Sequence, residues 1–302
     1  MSSKAHCPIG VFDSGVGGLS VWREIVALLP EESTIYVADQ AHCPYGERSQ
    51  QEIRRLSEGI VRFLLREGAK LIVVACNTAS AAALYRLRQR FEVPIVGMEP
   101  AVKPAAERTV SGRIGVMATA ATYTGEPFGR LMQRFASDVQ VIQRVCPGLV
   151  ERIEAGDLDG AATVELVRSC LGPLRDEGVD VLVLGCTHYP FLRPVIEQVM
   201  GPGVEVIDPA PAVARQVQRV LLRRQLLQTR AGSAQHIFHT TGGLEPFESK
   251  LEQLVGHTGR VWCAKWSRLS PESPGGGAAL ISAASGDTAV HSLATGTGPS
   301  QL

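Results

Sequence analysis

The sequence predicts an α/β protein with two doubly wound parallel-sheet domains that are related by pseudo-twofold symmetry. Three observations predict this fold class. The chain has 302 residues, more than a single domain usually contains. Short apolar runs alternate with amphipathic segments in βαβα order. Two similar segments, LIVVACNTAS and VLVLGCTHYP, occur once in each half, and this repetition indicates a divergent internal duplication.

The first half contains four apolar runs, and continuous runs of this kind are typical of buried parallel strands. The predicted order is IGVF with a helix over 19–29, TIYVA with a helix over 49–67, LIVVA with an alanine-rich helix that ends near 91, and PIVGM. Pro100 and Pro104 then interrupt the pattern. We therefore place a domain boundary near Met98.

The second half repeats this order and then continues beyond it. Its runs are RIGVMAT with a helix over 123–135, QVIQRV with helices after 147, VLVLG, VEVIDP with a helix over 212–225, HIFHTTG with a short helix through 254, and RVWCAKW. Sixty-three residues separate Asp13 from Cys76, and 67 separate Thr119 from Cys186. The turns at the strand ends therefore recur at similar spacing in the two halves.

These runs predict a first domain over 1–98 plus 209–266 and a second domain over 99–208. From residue 267 onward, Gly, Ala, Ser, Thr and Pro dominate and large apolar residues are few. Such a segment buries too little apolar area to offset the entropy lost on ordering. We therefore predict a flexible tail over 267–302.

Charge and cysteine content restrict the classes of function. Thirty basic and thirty acidic side chains give no net charge, and no basic stripe with interleaved aromatics occurs, so we expect a small-molecule ligand rather than nucleic acid. The sequence shows no signal-peptide pattern and no run of about 20 apolar residues, so we expect a cytoplasmic protein without membrane contact. Seven scattered cysteines predict reduced thiols rather than a disulfide framework, and their spacing predicts no metal site.

Ligands of open α/β sheets collect at the carboxyl ends of strands, and four predicted turns lie there. The first is DSGVGG at 13–18, whose glycines permit close approach of the backbone to a ligand. It is either a carboxylate-binding turn or a plain βα turn in which Asp13 or Ser14 caps the helix. The second, PYG at 44–46, places Tyr45 either in the core or over a ligand. We interpret the adjoining His42 and Cys43 as structural.

The other two turns each begin with a cysteine at the end of a strand. A thiol at a helix N-terminus has a lowered pKa, so Cys76 is expected to exchange protons, although a buried cysteine is often only a small apolar side chain. The matching position of Cys186 favours the chemical interpretation. His188 could orient or deprotonate that second thiol. Asn77, Thr78 and Thr187 either cap helices or bind a carboxylate.

Other cysteine and racemase chemistries fit the residues less well. A phosphatase-type loop requires an arginine six residues after the cysteine, where this chain has Ala82 and Leu192. A pyridoxal-phosphate enzyme requires a Schiff-base lysine, and none of the five lysines lies in a predicted ligand turn. A papain-like mechanism uses one cysteine and leaves the second turn unexplained.

The segments GVFDSGVGGLSV, PYGERS, VVACNTAS and LGCTHYP, together with IGVMATAAT, CPGLVERIEAG and HTTG, resemble in order those of the aspartate/glutamate racemase superfamily, and favour its glutamate racemases. The resemblance covers about 9–266. It implies an active site in the cleft between the two domains and reversible interconversion of L- and D-glutamate, which supplies D-glutamate for bacterial peptidoglycan. It implies no cofactor and no metal.

By this resemblance, Cys76 and Cys186 are the two acid/base residues on opposite faces of the substrate Cα. Asp13 would assist Cys76, and His188 would assist Cys186 with Glu154, although Glu151 remains an alternative. The substrate contacts implied are Asp13, Ser14, Tyr45, Gly46, Asn77, Thr78, Thr119, Thr122, Thr187 and His188. Many relatives carry an arginine just before PYG, where this chain has AHC at 41–43.

Two other functions stay open at this point. The chain could racemise aspartate or a related amino acid, or it could be a catalytically silent homologue that binds a ligand in the cleft. Intact paired cysteines argue against the silent homologue. One chain does not reveal the oligomeric state, and a homodimer is one state it allows.

Overall fold

The computed structural model describes residues 3–124, 126–229, 232, 234–257, 259–268 and 278–282. The strands are β1 (Ile9–Asp13), β2 (Thr34–Ala38), β3 (Leu71–Val74), β4 (Ile95–Gly97), β5 (Arg113–Ala118), β6 (Gln140–Arg144), β7 (Val181–Gly185), β8 (Glu205–Ile207), β9 (His236–Thr240), β10 (Arg260–Arg268) and β11 (Ala278–Ser282). The α-helices are α1 (Leu19–Leu28), α2 (Gln50–Arg66), α3 (Asn77–Arg90), α4 (Val102–Arg108), α5 (Ala120–Tyr123), α6 (Glu126–Phe135), α7 (Leu149–Ala155), α8 (Ala161–Asp176), α9 (Arg193–Met200), α10 (Ala210–Arg223) and α11 (Leu244–Val255).

Two mostly parallel sheets confirm the predicted α/β class. The larger sheet has the order β11-β10-β9-β2-β1-β3-β4, and the smaller has the order β6-β5-β7-β8. All pairs are parallel except β10 with β11. In each sheet the chain crosses from one side of a central strand, β1 or β5, to the other. A ligand crevice is expected at such a crossing, beyond the carboxyl ends of the strands.

The central strands form because their sequences are continuously apolar. Every residue of β1, β2, β3 and β7 is buried, as expected for parallel strands that are covered by helices on both faces. The helix α2 begins where Ser49 accepts a hydrogen bond from the Glu52 amide at 3.2 Å, a side-chain N-cap. None of the described helices is long enough and apolar enough to cross a membrane.

The segment after β8 returns to the larger sheet, where β9 pairs with β2 and β10 pairs with β9. This pairing agrees with the assignment of 209–266 to the first half, and the division into two domains stays a prediction. The prediction of a flexible tail over 267–302 is wrong for the residues of this range that the structure describes. Residues 267–268 belong to β10, and 278–282 form β11 beside it. Strand pairing and full burial of Leu280 supply stability that composition alone did not reveal. Residues 269–277 and 283–302 lie outside the described part of the chain.

The expectation of reduced thiols throughout is also wrong for one pair. Cys146 and Cys170 form a disulfide with their Cα atoms 5.8 Å apart. The fold brings together the end of β6 and the helix α8, and no local cysteine motif signals such a contact. The other five cysteines are free.

Acidification is expected to destabilise this fold through His239, which is buried on β9 beside Phe63. Burial lowers the pKa of His239 from 6.5 to about 4. The unfolded chain therefore binds a proton there at a pH where the folded chain does not, so stability falls as the pH drops through that window. At about 1.36 kcal/mol per pKa unit the full loss is about 3 kcal/mol.

The measurement is urea denaturation near pH 7 and near pH 4.5. The loss of stability on acidification should be smaller in His239→Leu than in the wild-type protein. Equal losses in the two proteins would remove His239 from the explanation.

Candidate active site

The two halves enclose a small cavity at the carboxyl ends of β1, β3, β5 and β7. Its volume is about 20 Å³, close to the space that one water molecule requires. An amino acid can therefore enter only if the halves separate, as in enzymes that close over their substrates. Larger cavities lie elsewhere, including one of about 740 Å³ beside α3, but no cysteine lines that cavity.

Most of the predicted site residues meet at this cavity. It is lined by Ser14, Pro44, Tyr45, Gly46, Cys76, Asn77, Thr78, Thr119, Val150, Cys186, Thr187 and His188. Both cysteines are buried there. Three other predicted residues, Asp13, Thr122 and Glu154, stand behind this lining and contact it.

Cys76 follows β3 and caps α3, and its Sγ accepts a hydrogen bond from the Ala79 amide at 3.4 Å. The sequence therefore placed this thiol correctly at a helix N-terminus. The expected lowering of its pKa is wrong. Burial, followed by the charge of Asp13, raises the pKa of Cys76 well above its ordinary value, and both effects outweigh the amide. The thiol is protonated unless another group removes its proton.

Asp13 ends β1 and organises the first turn. Its Oδ2 accepts hydrogen bonds from the amides of Gly18 at 2.9 Å and Gly15 at 3.3 Å. Burial raises the pKa of this carboxyl, against the opposing effect of the His188 charge. The prediction that Asp13 or Ser14 caps the helix is wrong, because Gly18 is the N-cap of α1 and no side chain caps it. Asp13 instead holds the turn through these two amides, and its charge raises the pKa of Cys76.

The second face of the cavity contains a chain of three side chains. The Sγ of Cys186 lies 3.7 Å from Nδ1 of His188, and Nε2 of that histidine lies 2.7 Å from Oε1 of Glu154. Glu154 therefore occupies the position that the sequence left open between it and Glu151. Burial alone would lower the pKa of His188, but hydrogen bonds to two cysteines and to Glu154 raise it well above its ordinary value.

Glu154 is held by the first half as well as by His188. Its Oε1 accepts a hydrogen bond from the Val16 amide at 2.7 Å, and its Oε2 accepts one from Gln40 at 3.0 Å. Burial alone would raise the pKa of this carboxyl, yet its hydrogen bonds and the His188 charge lower it below its ordinary value. The site thus contains an ion pair of His188 with Glu154 within the second half, and Val16 and Gln40 of the first half contact its carboxylate.

Two glycines of the first turn allow the side chains of Glu154 and His188 to lie against its backbone. A Cβ on Gly15 would lie 1.8 Å from Oε1 of Glu154, and a Cβ on Gly17 would lie 2.3 Å from Nδ1 of His188. Both distances are far below van der Waals contact. The close approach of the second half therefore requires glycine at positions 15 and 17.

Polar groups on the cavity wall suit a charged ligand. The side-chain oxygen and nitrogen of Asn77 are buried without a hydrogen-bond partner in the described part of the chain. Buried polar groups are normally paired, so this amide is available to a ligand. Thr78 and Thr119 share a hydrogen bond of 2.8 Å between the halves, and Thr119 contacts Thr122 at 3.0 Å.

Three neighbouring residues were missed by the sequence analysis. Asp39 accepts a hydrogen bond from Tyr45 at 2.7 Å and another from Trp266 at 2.8 Å, and so holds that tyrosine in the wall. Gln40 binds Glu154, and Cys43, interpreted above as structural, lies 3.6 Å from the same carboxylate. Their position just before PYG was the available signal, but only the fold shows what they contact.

Comparisons with known proteins show which family this chain is similar to. The profile of a family described as Asp/Glu/Hydantoin racemase matches residues 9–217. A glutamate racemase of Pseudomonas aeruginosa is 58% identical over 249 residues, which are 82% of this chain and 94% of the relative. One from Herpetosiphon aurantiacus is 55% identical over 250 residues, which are 82% of this chain and 97% of the relative.

Solved structures of similar proteins share the fold. Glutamate racemase RacE1 of Bacillus anthracis has a TM-score of 0.78 at 36% identity, over 86% of this chain and 97% of that one. The Escherichia coli glutamate racemase, solved with L-glutamate and the activator UDP-MurNAc-ala, has a TM-score of 0.76 at 32% identity, over 91% of this chain and 99% of that one.

Proposed function

This chain belongs to the Asp/Glu/hydantoin racemase family, and on that premise we propose that it interconverts L- and D-glutamate by cofactor-independent, two-base proton transfer. The observation that carries the proposal is the cavity that Cys76 and Cys186 line together, each at the end of an equivalent strand of its half. The product D-glutamate would serve peptidoglycan synthesis, which implies a cytoplasmic enzyme.

In the proposed reaction, one cysteine removes the Cα proton and the other delivers a proton to the opposite face. Following the family resemblance, Cys76 acts as the base on D-glutamate and Cys186 as the base on L-glutamate. Asp13 is the proton partner of Cys76, and the ion pair of His188 with Glu154 serves Cys186. Because the closed cavity has room for only about one water molecule, these preformed charges act strongly on the reacting thiols.

The substrate α-carboxylate gains charge as the proton leaves, so its binding groups must be hydrogen-bond donors. The unpaired amide nitrogen of Asn77 and the hydroxyls of Thr78 and Thr187 line the cavity where such donors are needed. Preorganised donors of this kind stabilise a developing anion without reorganisation. No prosthetic group is required for this role.

Incubation of the purified protein with each glutamate enantiomer in D₂O, without added cofactor, tests the proposal. Both optical change and deuterium at Cα are expected from either enantiomer. If neither enantiomer shows optical change or deuterium at Cα, the result contradicts racemisation and favours a ligand-binding homologue. Aspartate is assayed in parallel, and faster turnover of aspartate would replace glutamate as the substrate. Light scattering of the same sample shows whether the protein is a monomer or a homodimer.

A further inference from the structure

A third free cysteine reaches the active site from the first half. Cys43 Sγ lies 3.6 Å from Oε1 of Glu154, and the same oxygen lies 2.7 Å from Nε2 of His188. The three ligand atoms all lie within 4.8 Å of one another. Thiolate, imidazole and carboxylate are the ligand types that zinc uses in proteins. The proposed racemisation does not require Cys43.

The distances between the ligand atoms of Cys43, Glu154 and His188 suit a tetrahedral ion with little rearrangement. Bonds of about 2.3 Å to sulfur and about 2.0 Å to oxygen and nitrogen place sulfur about 3.5 Å from oxygen and nitrogen about 3.3 Å from oxygen. Cys43 and Glu154 already have the first separation. The contact between His188 and Glu154 must widen from 2.7 Å by about half an ångström.

Surrounding groups hold two of these ligands in place. Gln40 donates to the other oxygen of Glu154 at 3.0 Å, and the Val16 amide donates to Oε1 at 2.7 Å. The second ring nitrogen of His188 faces Cys186 at 3.7 Å. Partners of this kind orient the ligands of metal sites and contribute to affinity. Three protein ligands leave the fourth position of a tetrahedral ion for water.

We infer that Cys43, Glu154 and His188 form an inhibitory site for one thiophilic divalent cation, such as Zn²⁺ or Cd²⁺. Binding forms one bond from the ion to Sγ, one to Oε1 and one to Nε2. The thiol proton of Cys43 and the Nε2 proton of His188 are released to solvent. The ion then holds the imidazole and the carboxylate, so neither serves Cys186. The inhibition rests on the proposed function, whereas the binding does not.

Titration with Cd²⁺ tests the binding, because a thiolate bound to cadmium absorbs in the ultraviolet. The wild-type protein should take up one ion with this absorption, and calorimetry should give the same stoichiometry. In Cys43→Val the absorption should disappear and the affinity should fall at least about tenfold. Inhibition by Zn²⁺, measured against the metal-free rate of each variant, should then require at least about ten times more ion.

Matched variants separate this site from other thiols. Cys263→Ser removes a free cysteine outside the site and should bind Cd²⁺ as the wild type does. Cys76→Ser should also keep the absorption, whereas its loss would place the ion between the two catalytic thiols and overturn the assignment. Wild-type binding by Cys43→Val, or no thiolate absorption in the wild type, would overturn it as well. Binding without inhibition would remove the inhibitory role alone.

Circular dichroism shows whether each variant is folded. If Cys43→Val does not fold, Cys43→Ala provides the same comparison with a smaller side chain. A protein that binds the ion through Cys43 but racemises nothing contradicts the proposed function and leaves the metal site intact. The two failures are therefore distinguishable.

Discussion

Replacement of either Cys76 or Cys186 by serine should reduce racemisation of glutamate by at least about 10³-fold in both directions. A serine hydroxyl is a far weaker acid than a thiol, so it neither removes nor returns the Cα proton at a useful rate. Each direction needs one cysteine as the base and the other as the acid. Loss of either residue therefore stops both directions, and chiral chromatography of the products measures the rates.

Each of these variants should still carry out the proton removal that its remaining cysteine performs. Elimination from a 3-chlorinated glutamate needs one base, because chloride leaves as the Cα proton is removed. Cys76→Ser should therefore still eliminate chloride from the L-analogue through Cys186, and Cys186→Ser should do so from the D-analogue. Cys263→Ser serves as the matched control and should racemise normally. Racemisation at the wild-type rate by either single variant would contradict the two-base mechanism.

Glu154→Gln should produce the second largest effect, a loss of about 10²-fold that is greater from L-glutamate than from D-glutamate. The substitution keeps the side-chain size but removes the charge 2.7 Å from His188. His188 is buried, and Glu154 is one of the groups that raise its pKa. Without that charge the pKa of His188 falls, so the imidazole loses its proton as the pH rises through the lower value.

The loss caused by Glu154→Gln should therefore be larger at alkaline than at acidic pH, and a profile of kcat/KM against pH measures it. Glu151→Gln is the matched control, because Glu151 lies on the same helix, α7, and is exposed. This control should retain the wild-type profile. A greater loss in Glu151→Gln than in Glu154→Gln would contradict the assignment of the ion pair.

The features that follow from local sequence were predictable. Apolar runs indicated β1, β3 and β7 because parallel strands are buried on both faces. The turns after these strands located Asp13, Cys76 and Cys186, since carboxyl ends of parallel strands meet at one edge of a sheet. The two cysteines line one cavity, and the repeated segments LIVVACNTAS and VLVLGCTHYP indicated this through the internal duplication.

The features that depend on distant contacts were not predictable. The helix dipole suggested a low pKa for Cys76, but burial and the charge of Asp13 dominate in the folded protein. Glu151 and Glu154 lie one helical turn apart, and only the packing of α7 selects Glu154. Cys43 is 111 residues from Glu154 in sequence, so its contact has no local signature.

The segment over 278–282 shows a different limit of prediction from sequence. It belongs to the stretch from 267 onward that is rich in Gly, Ala, Ser, Thr and Pro, yet AALIS pairs with β10, and Arg66 of α2 donates a hydrogen bond to the Leu280 carbonyl. An isolated segment of this kind buries too little apolar area to become ordered. Here the edge of an existing sheet supplies the hydrogen bonds and the apolar contact.

The central claim is that two different thiols act on opposite faces of one carbon. The most direct test is the location of deuterium during early turnover in D₂O, starting from each glutamate enantiomer. A two-base enzyme delivers a solvent-derived deuteron from the second cysteine, so the product should carry deuterium at Cα while the recovered substrate keeps its proton. Deuterium in the recovered substrate at the same rate as in the product would indicate one base and contradict the mechanism.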